Sequence, residues 1–416
     1  MSKAVVLYLH VHQPYRVRPY SVFDIGERHD YFAVQDDSKL NNEKMFHKVA
    51  DKSYRPMTEL LQKLLDKHPE FHFSLSITGD FIDQAERYAP DVLESFKRLV
   101  ASGRVEIVAE TYQHSMAFFY SINEFEAQVK QHERKIHDVF GVKPTSFRNT
   151  ELAYNDELAQ WADKAGYKAI LTEGWDKVLE WRSPNYIYTP PNTENIKLLL
   201  KNYTLSDDLA FRFGNKAWNE WPLTSGKYVD WIKTSMGDGP LMNLFMDFET
   251  FGEHQWADTG IFTFFEQFVG DWLGGDDAKF LTVADAANAD QSAGELSMPE
   301  TVTWADSERD LSAWFGNSMQ QEAAKYLYAL EDDVVRSGDD DLIRDWRFLQ
   351  SSDHLYYMAT KWLTDGDVHT YFSPYDSPYD AFLYYMNAIR DIRWRVMHHH
   401  NLGGVHAIKS ASEENG

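Results

Sequence analysis

No cysteine occurs anywhere in the 416 residues. That absence removes disulfides, thiolate metal sites and cysteine nucleophiles. Positive charge is scarce as well: 41 Lys and Arg stand against 65 Asp and Glu, a formal net charge of −24. Nucleic acid and anionic membrane are poor partners for such a chain, because binding to either relies on Lys and Arg neutralising phosphates. A neutral substrate is compatible with it. No apolar stretch reaches the roughly 18 residues of a membrane span. Nor does a Gly-rich phosphate loop follow the first apolar run, which disfavours an open dinucleotide-binding sheet. That run, residues 4–9, passes straight into His and Pro without a cleavage site. It reads as a first strand, not a signal peptide, and the expected location is the cytoplasm.

What the chain has in quantity is aromatic residues, 15% of the total, with 13 Trp and 23 Tyr. Most belong in a core, but Trp218-Asn219-Glu220-Trp221 reads as a loop, where a flat ring such as Trp221 could stack on a sugar. Short apolar runs recur at residues 5–9, 71–77, 105–108, 146–147, 169–171, 196–200 and 241–245, with a weaker eighth at 280–282. Helical spacing fills several intervals: Met57, Leu60, Leu61, Leu64 and Leu65, then Val92, Leu93, Phe96 and Leu99, closed by Gly103. Strand alternating with helix predicts an α/β fold with a parallel sheet, and a closed or nearly closed (β/α) barrel of seven strands over residues 1–285 fits it. Residues 286–408 read as a helical region, with Asn317 capping one helix and Ser377-Pro378 opening another. Asp339-Asp340-Asp341 reads as a solvated turn, and 409–416 as a disordered tail.

In a parallel barrel, side chains at the C-terminal strand ends converge on one pocket. Polar residues stand at four such ends. The first strand runs into His10-Val11-His12-Gln13-Pro14, and period two puts both His on one face. The third leads to Glu110 and His114. The fourth ends in Phe147-Arg148-Asn149-Thr150-Glu151, and the seventh in Met246-Asp247-Phe248-Glu249, with a turn Gly252 and His254 close behind. If the seventh strand continued through Glu249, Asp247 and Glu249 would share a face and push one pKa upward, as a proton donor needs.

Two chemistries use such a set. Retaining glycoside hydrolysis needs one carboxylate to attack the anomeric carbon and another, about 5–5.5 Å away, to protonate the leaving oxygen. Arg148 near Glu151 would keep Glu151 ionised and nucleophilic. Alternatively, His10, His12 and a carboxylate could ligate a divalent metal for hydrolytic deacetylation. His132-Glu133 with His137 is one residue too long for a zinc-protease motif and reads as a surface helix. His398-His399-His400 lacks a carboxylate partner.

Five stretches together resemble glycoside hydrolase family 57, within it the α-amylase group. They are His12-Gln13-Pro14, Gly103-Arg104-Val105-Glu106-Ile107 through His114, Phe147-Arg148-Asn149-Thr150-Glu151-Leu152, Met246 through His254, and Ser351-Ser352-Asp353-His354. The resemblance implies a (β/α)7 barrel followed by a helical region, with Glu151 as nucleophile and Asp247 as general acid/base. His10, His12, His114, Arg148, Glu249, His254, Trp221 and Asp353 are then expected around the substrate. Because Ser351-Ser352-Asp353 lies in the helical part, that part is expected to contribute to the site and to dock rigidly. The implied substrate is an α-1,4-glucan such as malto-oligosaccharide, starch or glycogen, with no cofactor and no metal. A 4-α-glucanotransferase is the nearest alternative; a metal-dependent deacetylase and a non-catalytic glucan-binding protein are the others.

Overall fold

The computed structural model describes residues 3–289, 291–361 and 373–413, with 399–413 described by backbone alone. The chain divides into two compact units. The first comprises residues 1–13, 46–112 and 129–310, the second residues 14–45, 113–128 and 311–416.

The first unit is built on parallel strands: β1 (Lys3–Val11), β2 (Phe73–Ile77), β3 (Val105–Ile107), β4 (Ser146–Phe147), β5 (Ala169–Glu173), β6 (Lys197–Lys201), β7 (Leu241–Asp247) and β8 (Ala278–Leu281). β1 pairs with β2 and β7, and β2 with β3. β4, β5 and β6 form a second run. A bridge between Ala109 and Phe147 joins β3 to β4. On the far side the Asn202 amide donates to the Asn243 carbonyl at 2.9 Å, and the Asn243 side chain donates to Leu200 O at 2.9 Å. Those links close the seven strands into a curled parallel barrel, as the sequence implies. β8, the weak eighth run, pairs only with the first half of β1, Lys3 to Val6.

Period-two alternation sorts β1 into two cores. Val5, Leu7, Leu9 and Val11 lie in a large cluster with the helices Arg55–Lys67, Pro90–Ala101 and Ile261–Leu273, whose apolar stripes face them. Ala4, Val6 and Tyr8 lie instead in a second cluster with Leu199, Leu241 and Phe245, the barrel interior. Register pairs Ala4 with Leu241, Val6 with Asn243, Tyr8 with Phe245 and His10 with Asp247. Each interior step is therefore one layer, and the top layer is the first with ionisable groups on both strands. On β1 and β7 the interior is uncharged below and carries its charged groups at the C-terminal mouth.

Helix ends follow their sequence signals. Ser102 ends Pro90–Ala101 and Gly103 follows at φ 71°. In the second unit Asn317 caps Ser318–Tyr328 with a capping box. The long helix Pro378–Glu413 begins directly after Ser377. Asp339, read as part of a turn, is the N-cap of Asp340–Phe348, so Asp340 and Asp341 sit in that helix's first turn, where its dipole favours acids. The tail read at 409–416 falls partly on the end of the last helix and partly on residues 414–416, outside the described residues. Among the described residues no helix is long and apolar enough to cross a membrane.

Candidate active site

The mouth of the barrel is assembled around Arg148, which leaves β4 fully buried. Its Nη1 lies 3.2 Å from Glu110 Oε2 and 3.2 Å from His10 Nε2. His10 Nε2 is itself 3.2 Å from Glu110 Oε2, and its Nδ1 is 3.5 Å from Asp247 Oδ1. One imidazole thus bridges the ends of β3 and β7. His12 stacks 6.0 Å from His10 and bonds Thr78 Oγ1 through Nδ1 at 2.9 Å. Behind them His132 is completely buried: Nε2 donates to Ile77 O at 2.8 Å, and Nδ1 accepts from the Glu110 amide at 3.5 Å. Burial pushes its pKa down and keeps it neutral, as that tautomer requires. The surface reading of residues 132–137 therefore holds for the exposed His137 and fails for His132, because the helix turns that face inward.

Glu151 sits in a 3-10 turn, Thr150–Leu152, at φ 58° and ψ 26°, with Leu152 also left-handed at φ 50°. Two successive left-handed residues with side chains are costly and need external fixing. The fixing comes from residues 302–304: Tyr154 and Val302 exchange amide–carbonyl bonds of 2.9 Å, and the Trp304 amide donates to Glu151 O at 3.2 Å. The Trp304 indole N–H then donates to Glu151 Oε2 at 2.7 Å. The same ring meets His10 edge to face at 6.4 Å and lies 5.4 Å from the Arg148 guanidinium. Glu151, Arg148, His10 and Asp247 consequently share one cluster. Trp304 was not among the sequence candidates, nor were Glu173 and Lys201. Polar residues closing the apolar runs of β5 and β6 were the available signal for the last two.

Asp247 and Glu249 do not alternate along one strand as expected. β7 stops at Asp247, and Phe248–Thr250 is a 3-10 turn that drives Phe248 into the core. Their electrostatics also separate. Burial pushes the Asp247 pKa up, but the hydrogen bond and charge of His10, with His254 and Arg148, outweigh it and hold the carboxyl below its ordinary range. Glu249 goes the other way. Burial first, and then the Asp247 charge, raise it to about 8, against opposing hydrogen bonds from the Tyr54 hydroxyl (2.6 Å) and the His12 amide. The sequence leaves open which of the two carries the raised pKa; the structure places it on Glu249, because His10 faces Asp247, whereas Glu249 meets the Tyr54 hydroxyl and the His12 amide. His254, half-buried, has its pKa pushed down by burial against the pull of Asp247.

Trp221 is 43% exposed, whereas Trp218 packs edge-on against Trp231 at 6.0 Å. The loop's anchor is thus Trp218. His114 and Asp353 belong to the second unit, which brings them close in the fold. The Ser352 amide donates to His114 O at 2.9 Å, and Asp353 accepts from Ser351 Oγ at 2.6 Å.

A parallel barrel whose mouth carries acids, imidazoles and an arginine has the make-up of an enzyme. Residues 6–299 match the family model for glycosyl hydrolase family 57. The chain belongs to that family. It is 39% identical over 398 residues, 93% of its own length and 83% of the other's, to a Methanocaldococcus jannaschii protein described as a candidate α-amylase. Among solved structures it is similar to a branching enzyme of this family from Pyrococcus horikoshii, with a TM-score of 0.65 and 16% identity over 89% of this chain and 87% of that one. It is also similar to a 4-α-glucanotransferase from Thermococcus litoralis, with a TM-score of 0.64 and 14% identity over 85% of this chain. The match spans 56% of that longer chain. At these identities the two structures speak to fold alone.

Proposed function

We propose that the protein hydrolyses α-1,4-glucosidic bonds with retention, with Glu151 as nucleophile and Asp247 as acid/base. The observation that carries this reading is the single cluster in which His10 and Arg148 lie between the turn bearing Glu151 and the strand end bearing Asp247. Membership of a glycosidase family favours it over the metal-dependent alternative. Glu151 attacks the anomeric carbon while Asp247 protonates the departing glycosidic oxygen. Asp247 then takes a proton from water, which releases the sugar from Glu151. At rest Asp247 is 39% exposed and its carboxyl is low. A sugar ring covering that exposed part would add desolvation and raise its pKa towards that of a proton donor. His10, His12, His254 and Trp221 supply polar and stacking contacts to the glucan.

A second reading of the donor has its own support. Glu249, raised to about 8, holds a proton at neutral pH without help from substrate. The test uses azide with an aryl maltoside, whose good leaving group needs little protonation. Asp247→Ala should be rescued with a glycosyl azide of retained configuration, and Glu151→Ala with one of inverted configuration. If Glu249→Ala gives the retained azide and Asp247→Ala does not, the donor is Glu249. Products from maltoheptaose decide the fate of the intermediate: only smaller sugars mean hydrolysis, and longer ones mean transfer.

A further inference from the structure

We infer that the buried ion network of Glu173, Lys201 and Arg309 positions the nucleophile by acting through Trp304. The inference rests on Glu151 being that nucleophile. Glu173 ends β5, Lys201 ends β6, and Arg309 lies in the connection that follows Trp304. Their side chains are 0%, 6% and 10% exposed. Arg309 Nη1 is 2.9 Å from Glu173 Oε2, and Lys201 Nζ is 3.6 Å from the same oxygen and 2.9 Å from Asp207 Oδ1. Burying three charges is expensive, and a network of this kind is weak evidence for stability as such. What it touches suggests another use.

The segment that carries Trp304 is folded back on itself. The Thr303 amide donates to Arg309 O at 2.8 Å, and Thr303 Oγ1 to Asp310 O at 2.9 Å. Asp306 and Arg309 both have left-handed φ, 55° and 49°. A strained loop persists when its surroundings over-determine it. Here the Arg309 side chain does so, reaching Glu173 at one Nη and approaching the Trp304 carbonyl at 3.5 Å. The second link is electrostatic. Lys201 Nζ lies 5.5 Å from the Trp304 ring centroid, and the Arg148 guanidinium 5.4 Å. Cations near an indole face are attracted by its π density and draw on it, which makes the N–H a better donor. That N–H ends on Glu151 Oε2. A strengthened donor fixes the carboxylate's orientation and favours its ionised form, the form that attacks.

The experiment compares Trp304→Phe, Lys201→Met, Arg309→Gln and Arg309→Lys with the wild-type full chain on one malto-oligosaccharide. Trp304→Phe keeps an aromatic ring but loses the indole donor and part of the bulk. It should lower kcat about tenfold or more and move the acidic limb of the kcat/KM profile upward by about one pH unit. Lys201→Met and Arg309→Gln should shift the limb the same way, and Arg309→Lys should recover most of it. A merely structural network predicts another pattern: a lower Tm and a smaller active fraction, with the limb unmoved in the molecules that remain folded. An unmoved limb in Trp304→Phe overturns the inference even if the buried-charge variants fail to fold. Azide on Glu151→Ala separates the two levels. An inverted product with an unmoved limb leaves the nucleophile standing and removes the network's role, whereas no inverted product removes the nucleophile reading itself.

Discussion

Glu249 and Asp247 stand two positions apart and are perturbed in opposite directions, which gives the mouth of the barrel a definite pH dependence. Glu249 titrates at about 8 in the folded chain against an ordinary 4.5. The folded state therefore binds the proton more tightly than the unfolded one. The stability it contributes is full below about 4.5 and is lost as pH rises towards 8. Asp247, held low, has the opposite sign: its contribution is present above the unfolded pKa and lost as pH falls through the folded one. Glu249→Gln keeps an acceptor for the Tyr54 hydroxyl and removes the ionisation. Between pH 5 and pH 8.5 the wild-type Tm should fall relative to that of Glu249→Gln. Parallel Tm curves across this window would mean that Glu249 is ionised throughout.

Among the elements, β1 and β7 were the most legible. Their alternation sorts helix-facing from interior residues, and that parity places His10 and Asp247 in the top layer. The turns beyond the strands were much less so. Parity extended past Asp247 put Glu249 on the wrong footing, because Phe248 gains more by entering the core beside Tyr54 and Phe96 than by continuing the strand. Trp304 could not be seen at all: it lies 153 positions from Glu151, and nothing local marks the pairing. Gly252 was read as a turn residue, and the structure gives the reason. It sits at φ 109°, and a Cβ there would come within 1.8 Å of the Lys52 carbonyl oxygen. Backbone must move to admit any side chain. Gly252→Ala should cost at least about 1–3 kcal/mol of stability by chemical denaturation. It should also lower kcat by displacing Glu249 and His254, which flank the turn. A fully stable Gly252→Ala protein would show that the turn gives way easily.

At the scale of the whole molecule the net charge of −24 is the dominant long-range feature. It acts on stability and on encounter by different routes. Repulsion among surface carboxylates opposes the compact state and is screened by salt. Encounter with a neutral glucan has no monopole term for salt to weaken, so electrostatic steering contributes nothing to it. The ion pairs that Glu110 makes with His10 and Arg148 are buried, and screening reaches them far less than it reaches exposed pairs. The two quantities should therefore separate. Raising NaCl from about 0.05 to 0.5 M, which shortens the screening length about threefold, should raise Tm by a few degrees. Over the same range kcat/KM on maltoheptaose should change by less than about twofold, since neither the substrate nor the buried cluster senses the salt. A steep fall in kcat/KM at constant or rising Tm would point to a charged substrate, and so against a glucan.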